Sequence, residues 1–346
     1  AGLETANQGF DVVTYTGNSS TQSISSLAFQ PDFVWIKNRD DTDEHMLFNV
    51  ISGPLYRLCS SVTNSEASQS NTLTAFGSNG FTLGSDGQVN QSSQDYVAWC
   101  WKAGGSASSN TDGSITSSVS ANTTYGFSIV KYSGTSGGGS WGHGLNTPPE
   151  FIIFKRYTAS QNWFVWLRES DGTYLEFEGL NNNRAPYSSR NNVSATSSVV
   201  TLTTQAEFNS DTSSNYIAYC WSEISGFSKF NSYSGDGNTG KKITTGFKPR
   251  FVIIKRTDTI ENWHIFDSQR GGTKSLFPDI NNTEVDNSSR SVVFVNDGFT
   301  LGTQGGINAN GGTYIYAAFA DKPPGEIIDS LIDTPTNYEA ESGNNG

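Results

Sequence analysis

The sequence predicts an all-β protein built from three tandem β-sandwich modules, and three observations predict it. One pattern recurs three times along the 346 residues. The apolar runs are short, strand-like and separated by turn residues. Each copy is about 100 residues long, room for seven or eight short strands and hence for one small sandwich. Propeller blades are the rival, but blades need about 40–50 residues each and at least four copies.

The first copy opens on Gly9-Phe10-Asp11-Val12-Val13-Thr14-Tyr15-Thr16-Gly17. The second opens on Gly126-Phe127-Ser128-Ile129-Val130-Lys131-Tyr132-Ser133-Gly134, and the third on Gly226-Phe227, reaching Tyr233 one residue later. In the second opening, alternation places Phe127, Ile129 and Lys131 on one strand face and Val130 and Tyr132 on the other. Both faces are partly apolar, as in a strand inside a stack of sheets. A Pro-led run follows each opening: Pro31 to Lys37, Pro149 to Arg156 and Pro249 to Arg256. Phe151-Ile152-Ile153-Phe154 within it is continuously apolar and short, which predicts a central strand buried on both faces. Each copy closes on an aromatic run: Tyr96 to Trp101, Tyr216 to Trp221 and Tyr314 to Phe319. Turns are marked by Asn79-Gly80, Asp86-Gly87, Asp171-Gly172, Asp236-Gly237 and Asp297-Gly298, whose residues tolerate positive φ. No helix with caps and a 3.6-residue period is evident.

Spacing sets the boundaries. Tyr132 follows Tyr15 by 117 residues, whereas Tyr233 follows Tyr132 by 101. The excess falls in a Ser/Thr/Asn/Gly-rich stretch, so the predicted order is module one at 1–104, a linker at 105–125, module two at 126–225, module three at 226–321 and a polar tail at 322–346. The linker is expected to carry one short strand around Ile115 to Val119. With no linker between copies two and three, those two are expected to sit rigidly together and module one to be joined more loosely. Beyond Asp321, Pro323-Pro324 makes a hard stop to strand structure.

A net charge of -12, from 33 acidic against 21 basic residues, excludes several function classes. A nucleic-acid binder needs a basic footprint to displace counterions, and none is present. An anionic membrane surface would repel the chain. No run of 18 apolar residues exists to span a bilayer. Ala1 to Gln8 is polar and lacks a signal peptide's apolar centre, so a signal has either been removed or never existed. Cys100 and Cys220 occupy the same place in copies one and two, where copy three has Ala318. That reads as a buried apolar position rather than a disulfide, and Cys59 makes the count odd.

Further wording in copy two carries a family resemblance. Gly113-Ser114-Ile115-Thr116 through Asn122, then Gly126-Phe127-Ser128-Ile129-Val130, then Gly142-His143-Gly144-Leu145 with Pro149-Glu150, resembles the repeated modules of virion structural proteins of tailed bacteriophages, marine and cyanobacterial phages in particular. Tyr216 to Trp221 and Gly298-Phe299-Thr300-Leu301-Gly302 are similar to that group too, and Asp333 to Tyr338 resembles the lead-in to a further lectin-like module. Only copy two has the His143 turn, and copy two lacks the Gly-Phe-Thr-Leu-Gly strand. The resemblance implies a particle component of the tail-fibre kind, a jelly-roll or concanavalin-like sandwich, other virion proteins as partners, homo-oligomeric assembly, and location in the extracellular particle after assembly in the host cytoplasm.

Candidate site residues compete with plainer readings. Trp141, Tyr157 and Tyr187 are the aromatics expected on loops, and with His143 beside Trp141 they form the candidate glycan-binding set, since an aromatic face can stack on a sugar. The other reading of His143 is turn stabilisation. Asp40, Asp41, Asp43 and Glu44 are an oxygen-rich candidate for calcium, but lack the spacing of a defined calcium loop, and a solvated turn is the alternative. Glu176 and Glu178 alternate onto one strand face, roughly 7 Å apart, a spacing that suits a glycosidase pair. Their plain reading is a solvated face over Leu175 and Phe177. Gly235 to Lys242 imitates a phosphate loop, but Lys242 replaces the Ser/Thr that holds magnesium and no helix follows. His45 stands where the other copies have Trp163 and Trp263, which points to packing. No metal set, cofactor or nucleophile elbow is expected, and the chain is not expected to be an enzyme. A tail fibre binding host-surface glycans is the leading expectation. A capsid decoration or fibre-shaft protein binding only virion proteins is the alternative, followed by a polysaccharide-degrading enzyme.

Overall fold

A computed structural model describes residues 8–168, 174–177, 179–183, 185–186 and 192–320. Tyr187, Glu178, the Asp171-Gly172 turn and the tail with Pro323-Pro324 and Asp333 to Tyr338 lie outside the described residues. The chain is nearly all β, in antiparallel sheets, with two single-turn helices among the described residues.

The first repeat runs β1 (Phe10–Thr16), β2 (Gln22–Ile24), β3 (Phe33–Asn38), β4 (Met46–Asn49), β5 (Tyr56–Cys59), β6 (Ala67–Ser68), β7 (Leu73–Gly77), β8 (Gly80–Leu83), α1 (Gly87–Asn90) and β9 (Asp95–Trp101). The linker forms β10 (Ser108–Asn110) and β11 (Ser117–Asn122). The second repeat has β12 (Phe127–Ser133), β13 (Gly139–Gly142), β14 (Phe151–Arg156), β15 (Phe164–Arg168), β16 (Tyr174–Phe177), β17 (Val193–Ala195), β18 (Val199–Leu202) and β19 (Asn215–Trp221). The third has β20 (Ser228–Ser234), β21 (Lys241–Thr244), β22 (Pro249–Arg256), β23 (Trp263–Asp267), β24 (Lys274–Ser275), β25 (Val285–Asp286), β26 (Val292–Val295), β27 (Gly298–Leu301), α2 (Gly305–Asn308) and β28 (Thr313–Ala320).

In every repeat the closing aromatic strand sits between the opening strand and the Pro-led strand. The larger sheets run β1-β9-β3-β4-β5-β6, β10-β11-β12-β19-β14-β15-β16 and β20-β28-β22-β23. Three-stranded sheets accompany them: β2-β8-β7, β13-β18-β17 and β21-β27-β26. β18 takes the place in the second repeat that β8 and β27, the Gly-Phe-Thr-Leu strands, take in the others. Linker strand β11 continues the second large sheet by pairing with β12. The turn read at Asp86-Gly87 is the start of α1, with the Asp86 side chain accepting from the Gln88 amide.

Two-sided burial explains the continuous apolar runs. Side chains alternate across a strand, and in the first two repeats each face meets a different core. Val13, Val34, Ile36, Ala98 and Cys100 pack with Ile24, Leu73, Phe81 and Leu83 of the first small sheet. Val130, Ile152, Phe154, Ala218 and Cys220 do the same with Trp141, Val193, Val200 and Leu202. Cys59, Cys100 and Cys220 are all free and buried.

The opposite faces of the three large sheets meet each other in one shared core. Val12, Trp35 and Trp99 join Ile129, Ile153 and Tyr219, and Phe230, Ile253 and Phe319. At its centre lie the equivalent last aromatics of the closing strands. Ring centroids are 5.9 Å apart for Trp101 and Trp221, 5.5 Å for Trp101 and Phe319, and 6.2 Å for Trp221 and Phe319. The expectation that the first repeat is loosely joined is thereby corrected. Phe33 stacks on Tyr219 at 4.4 Å and Trp99 meets Phe251 at 5.9 Å, so the first repeat contacts both others through fully buried rings. The linker's polarity described its own surface and not the face of the repeat it follows.

The contacts between repeats follow each other cyclically. The Glu66 amide donates to the Tyr157 carbonyl (2.9 Å), joining repeats one and two. At the equivalent place the Glu284 amide donates to the Arg39 carbonyl (2.8 Å), joining repeats three and one. The Glu261 amide donates to the Asn183 carbonyl (3.0 Å), joining repeats three and two. Three repeats therefore close a ring around the aromatic centre.

Candidate functional site

A lysine near the end of each Pro-led strand is caged by backbone carbonyls, and for Lys155 and Lys255 the cage reaches across a seam. Lys37, Lys155 and Lys255 are all buried. The Lys155 ammonium donates to the carbonyls of Arg156 (2.8 Å), Gln161 (2.9 Å) and, across the seam, Thr63 (3.0 Å). Lys255 donates to Arg256 (2.9 Å), Glu261 (2.7 Å) and, across its seam, Asn183 (3.3 Å). Lys37 donates to Asn38 (2.6 Å) and Asp41 (2.8 Å). An ammonium has three donors, so backbone carbonyls replace the lost water. Burial still pushes Lys155 down to about 7, with the Arg156 charge adding to it. Burial lowers Lys37 and Lys255 to about 8, against the raising effect of nearby carboxylates.

The seam between repeats three and one adds buried charge. Arg39 grips Glu284 with two hydrogen bonds of 2.9 Å. Arg270 reaches Glu284 at 2.9 Å and Asp267 at 2.6 Å, and the Trp99 ring nitrogen donates to Asp267 (3.0 Å). Burial raises the Glu284 pKa, but the hydrogen bonds and charges of Arg39 and Arg270 outweigh it and leave it low.

Beside the seam between repeats one and two, the linker strands and the second repeat form an open groove of about 340 Å³. The linker strands form one wall, through Ser108, Ser109 and Ser118, and Lys131, Ser133, Tyr157 and Asn215 the rest. Lys131 lies over the Tyr157 ring at 4.1 Å and pairs with Glu66 at 3.5 Å. Burial lowers the Lys131 pKa, and Glu66 partly restores it.

Of the described members of the candidate glycan set, only Tyr157 lines this groove. Trp141 is 0% exposed and stacks on Tyr132 at 5.1 Å, inside the second repeat's own core. His143 is also buried. Its Nδ1 accepts from the Leu145 amide (3.2 Å), its Nε2 lies 3.1 Å from the Thr196 carbonyl, and burial lowers its pKa. The expected loop exposure of Trp141 and His143 is corrected: β13 pairs with β18 and turns both rings inward. Tyr187 falls outside the described residues.

The carboxylates are engaged one by one. Asp40 accepts from the Asp95 amide (2.7 Å), Asp41 from the Thr42 amide (2.7 Å), and Asp43 from Asn38 (2.8 Å). Glu44 accepts from Ser61 and from Asn281 of the third repeat. Among the described residues no three His, Cys, Asp or Glu side chains converge as a metal set. Glu176 is 1% exposed and accepts from the Asn192 amide and side chain, both at 2.8 Å. Its solvated-face reading is corrected, because β16 turns this carboxylate toward the 192–193 backbone. Lys242 lies on strand β21 and pairs with Asp297 at 2.7 Å. His45 is buried, lies nearly parallel to Trp99 and accepts from the Trp35 ring nitrogen (2.9 Å), in keeping with packing.

Sequence reasoning missed Lys131, Glu66 and the seam lysines as a set. The recurring Lys after each Pro-led run was the available signal.

Repeat order, closing strands and shared core define a three-repeat all-β protein closed on itself. Residues 5–323 match the family described as domain of unknown function DUF7483, and the chain belongs to that family. The matched span takes in all three repeats and the linker. A comparison with curated proteins gives no match.

Proposed function

We propose that the chain is a non-catalytic structural protein of a tailed-phage particle. In this reading it is three tandem β-sandwich modules of the jelly-roll or concanavalin-like kind, acting in a tail fibre that attaches to host-surface glycans. The observation that supports it most is the ring of repeats around one aromatic core. The large aromatics are engaged in holding the unit together, and the groove at the first seam is walled by hydroxyls and an amide suited to sugar hydroxyls. The Glu176 carboxylate is bound to Asn192, which disfavours a polysaccharide-cleaving pair. A second reading, a capsid decoration or fibre-shaft protein that binds only other virion proteins, is favoured by the burial of Trp141 and His143.

Antibody labelling of intact particles in the electron microscope, paired with a glycan screen of the whole protein, separates the readings. Label at the tail with saturable glycan binding is expected. Label over the shell without glycan affinity would make it a decoration protein, and no label on any particle would sink both.

A further inference from the structure

This inference rests on the glycan-attachment reading. We propose that the groove between the linker strands and the second repeat binds an acidic sugar, with the Lys131 ammonium receiving the ligand's carboxylate and the surrounding hydroxyls receiving its ring.

Four observations carry it. Lys131 is the single cation among the described residues lining the groove. Its ion pair with Glu66 is 3.5 Å long, whereas a charge-assisted contact prefers about 2.7–2.9 Å. An ammonium has three donors, and a carboxylate placed closer than Glu66 would use them better. The Tyr157 face that a neutral sugar would stack on is already covered by the Lys131 ammonium, so the groove offers charge where an aromatic platform would offer a ring. Finally, the arrangement is peculiar to this seam. Counted from the tyrosines that align the repeats, Lys131 corresponds to Thr14 and Ser232, and counted from the leading prolines Tyr157 corresponds to Arg39 and Thr257. Among the described residues the wall made by β10 and β11 stands only beside the second repeat, and Ser118 is directly opposite Lys131 on it.

Glu66 competes with the ligand for the same ammonium. It is itself held by the Ser52 hydroxyl, so it has another partner when the ligand arrives. The two ends of the pair therefore predict opposite effects.

The test is titration of the whole protein with glucuronic acid and with glucose, its neutral twin, followed by calorimetry and by chemical-shift changes at low salt. Wild type is expected to bind glucuronic acid and not glucose. Lys131→Gln should weaken binding roughly ten- to hundredfold, the usual range for a lost charge-assisted hydrogen bond. Glu66→Gln should tighten it, and added salt should weaken it in wild type. Glucuronic acid binding unchanged in Lys131→Gln, with the fold intact by circular dichroism, would overturn the assignment. So would Glu66→Gln binding no more tightly than wild type. Should the wild type bind neutral glycans in the screen but not glucuronic acid, this groove assignment falls and the attachment reading stands. Should it bind no glycan at all, both fall.

Discussion

At the scale of single residues, stacked tyrosines show how the repeat is held. Tyr15 and Tyr96, Tyr132 and Tyr216, and Tyr233 and Tyr314 are directly paired across strands and stack at 5.1, 5.5 and 4.9 Å. Their hydroxyls point into the segment before the closing strand. The Tyr96 hydroxyl accepts from the Gln91 amide (2.8 Å) and donates to the Gly87 carbonyl (2.5 Å). Tyr96→Phe removes both part-buried bonds, so urea unfolding should show a loss of about 1–3 kcal/mol. The seam lysine gives a pH test. Lys155 titrates near 7 when folded and near about 10.4 when unfolded. The folded state then binds fewer protons between those values, and stability rises with pH across that window. Below the folded value the burial cost of the ammonium is fully present. Unfolding midpoints at several pH values from 6 to about 10 should therefore climb more steeply in wild type than in Lys155→Met. Equal slopes would mean the carbonyl cage fully offsets burial.

At the scale of elements, the linker strands decide how the second repeat differs from the others. β11 pairs with Phe127 to Tyr132 of β12, and its Val119, with Ile115 just before the strand, enters the second repeat's core. Among the described residues neither β1 nor β20 has an added strand at this edge; where β12 has Val130 the third repeat has the polar Asn231, while Val13 of the first packs in its own core. An exposed edge is blunted by polar residues, whereas a covered one tolerates apolar ones. Val119→Asp should loosen β11 from β12 and lower stability by about 2–4 kcal/mol through a buried, unpaired carboxylate. Hydrogen exchange at Ser118 to Ala121 should rise with it, and unchanged protection there would refute the role given to β11.

At the scale of the whole molecule, the ring makes the three repeats one cooperative unit. Trp101, Trp221 and Phe319 touch one another, and each comes from a different repeat. Trp101→Ala opens a void that all three repeats line, so it should cost about 3–5 kcal/mol and lower the melting of the entire chain. Calorimetry should show a single transition in both proteins. A variant in which only the first repeat melts early would restore the loosely tethered arrangement. Glu284→Gln tests the last seam, since that seam joins repeats with no direct chain connection. Arg39 and Arg270 lose their charge-assisted bonds to Glu284, Arg270 keeping Asp267, and a loss of about 1.5–3 kcal/mol is expected for hydrogen bonds to a charged group.

Much of this was legible from the residues alone. The all-β character, the three-fold repetition and the strand places followed from alternation, from turn residues and from recurring Gly-Phe, Pro-led and aromatic runs. So did the packing roles of His45, Cys100 and Cys220, because each is a local fact of position within a repeat. The burial of Trp141, His143 and Glu176 was not legible. Exposure depends on which sheet a flanking strand joins, and β13 with β18 or β16 with the 192–193 backbone are pairings between distant segments. The seams were hidden for the same reason. A two-residue period says that both faces of a strand are apolar, but not that one face meets its own small sheet while the other meets a neighbouring repeat. Sequence determined the repeating unit through local patterns. Tertiary structure alone decided that the units close into a ring around Trp101, Trp221 and Phe319, because that closure depends on contacts between residues hundreds of positions apart.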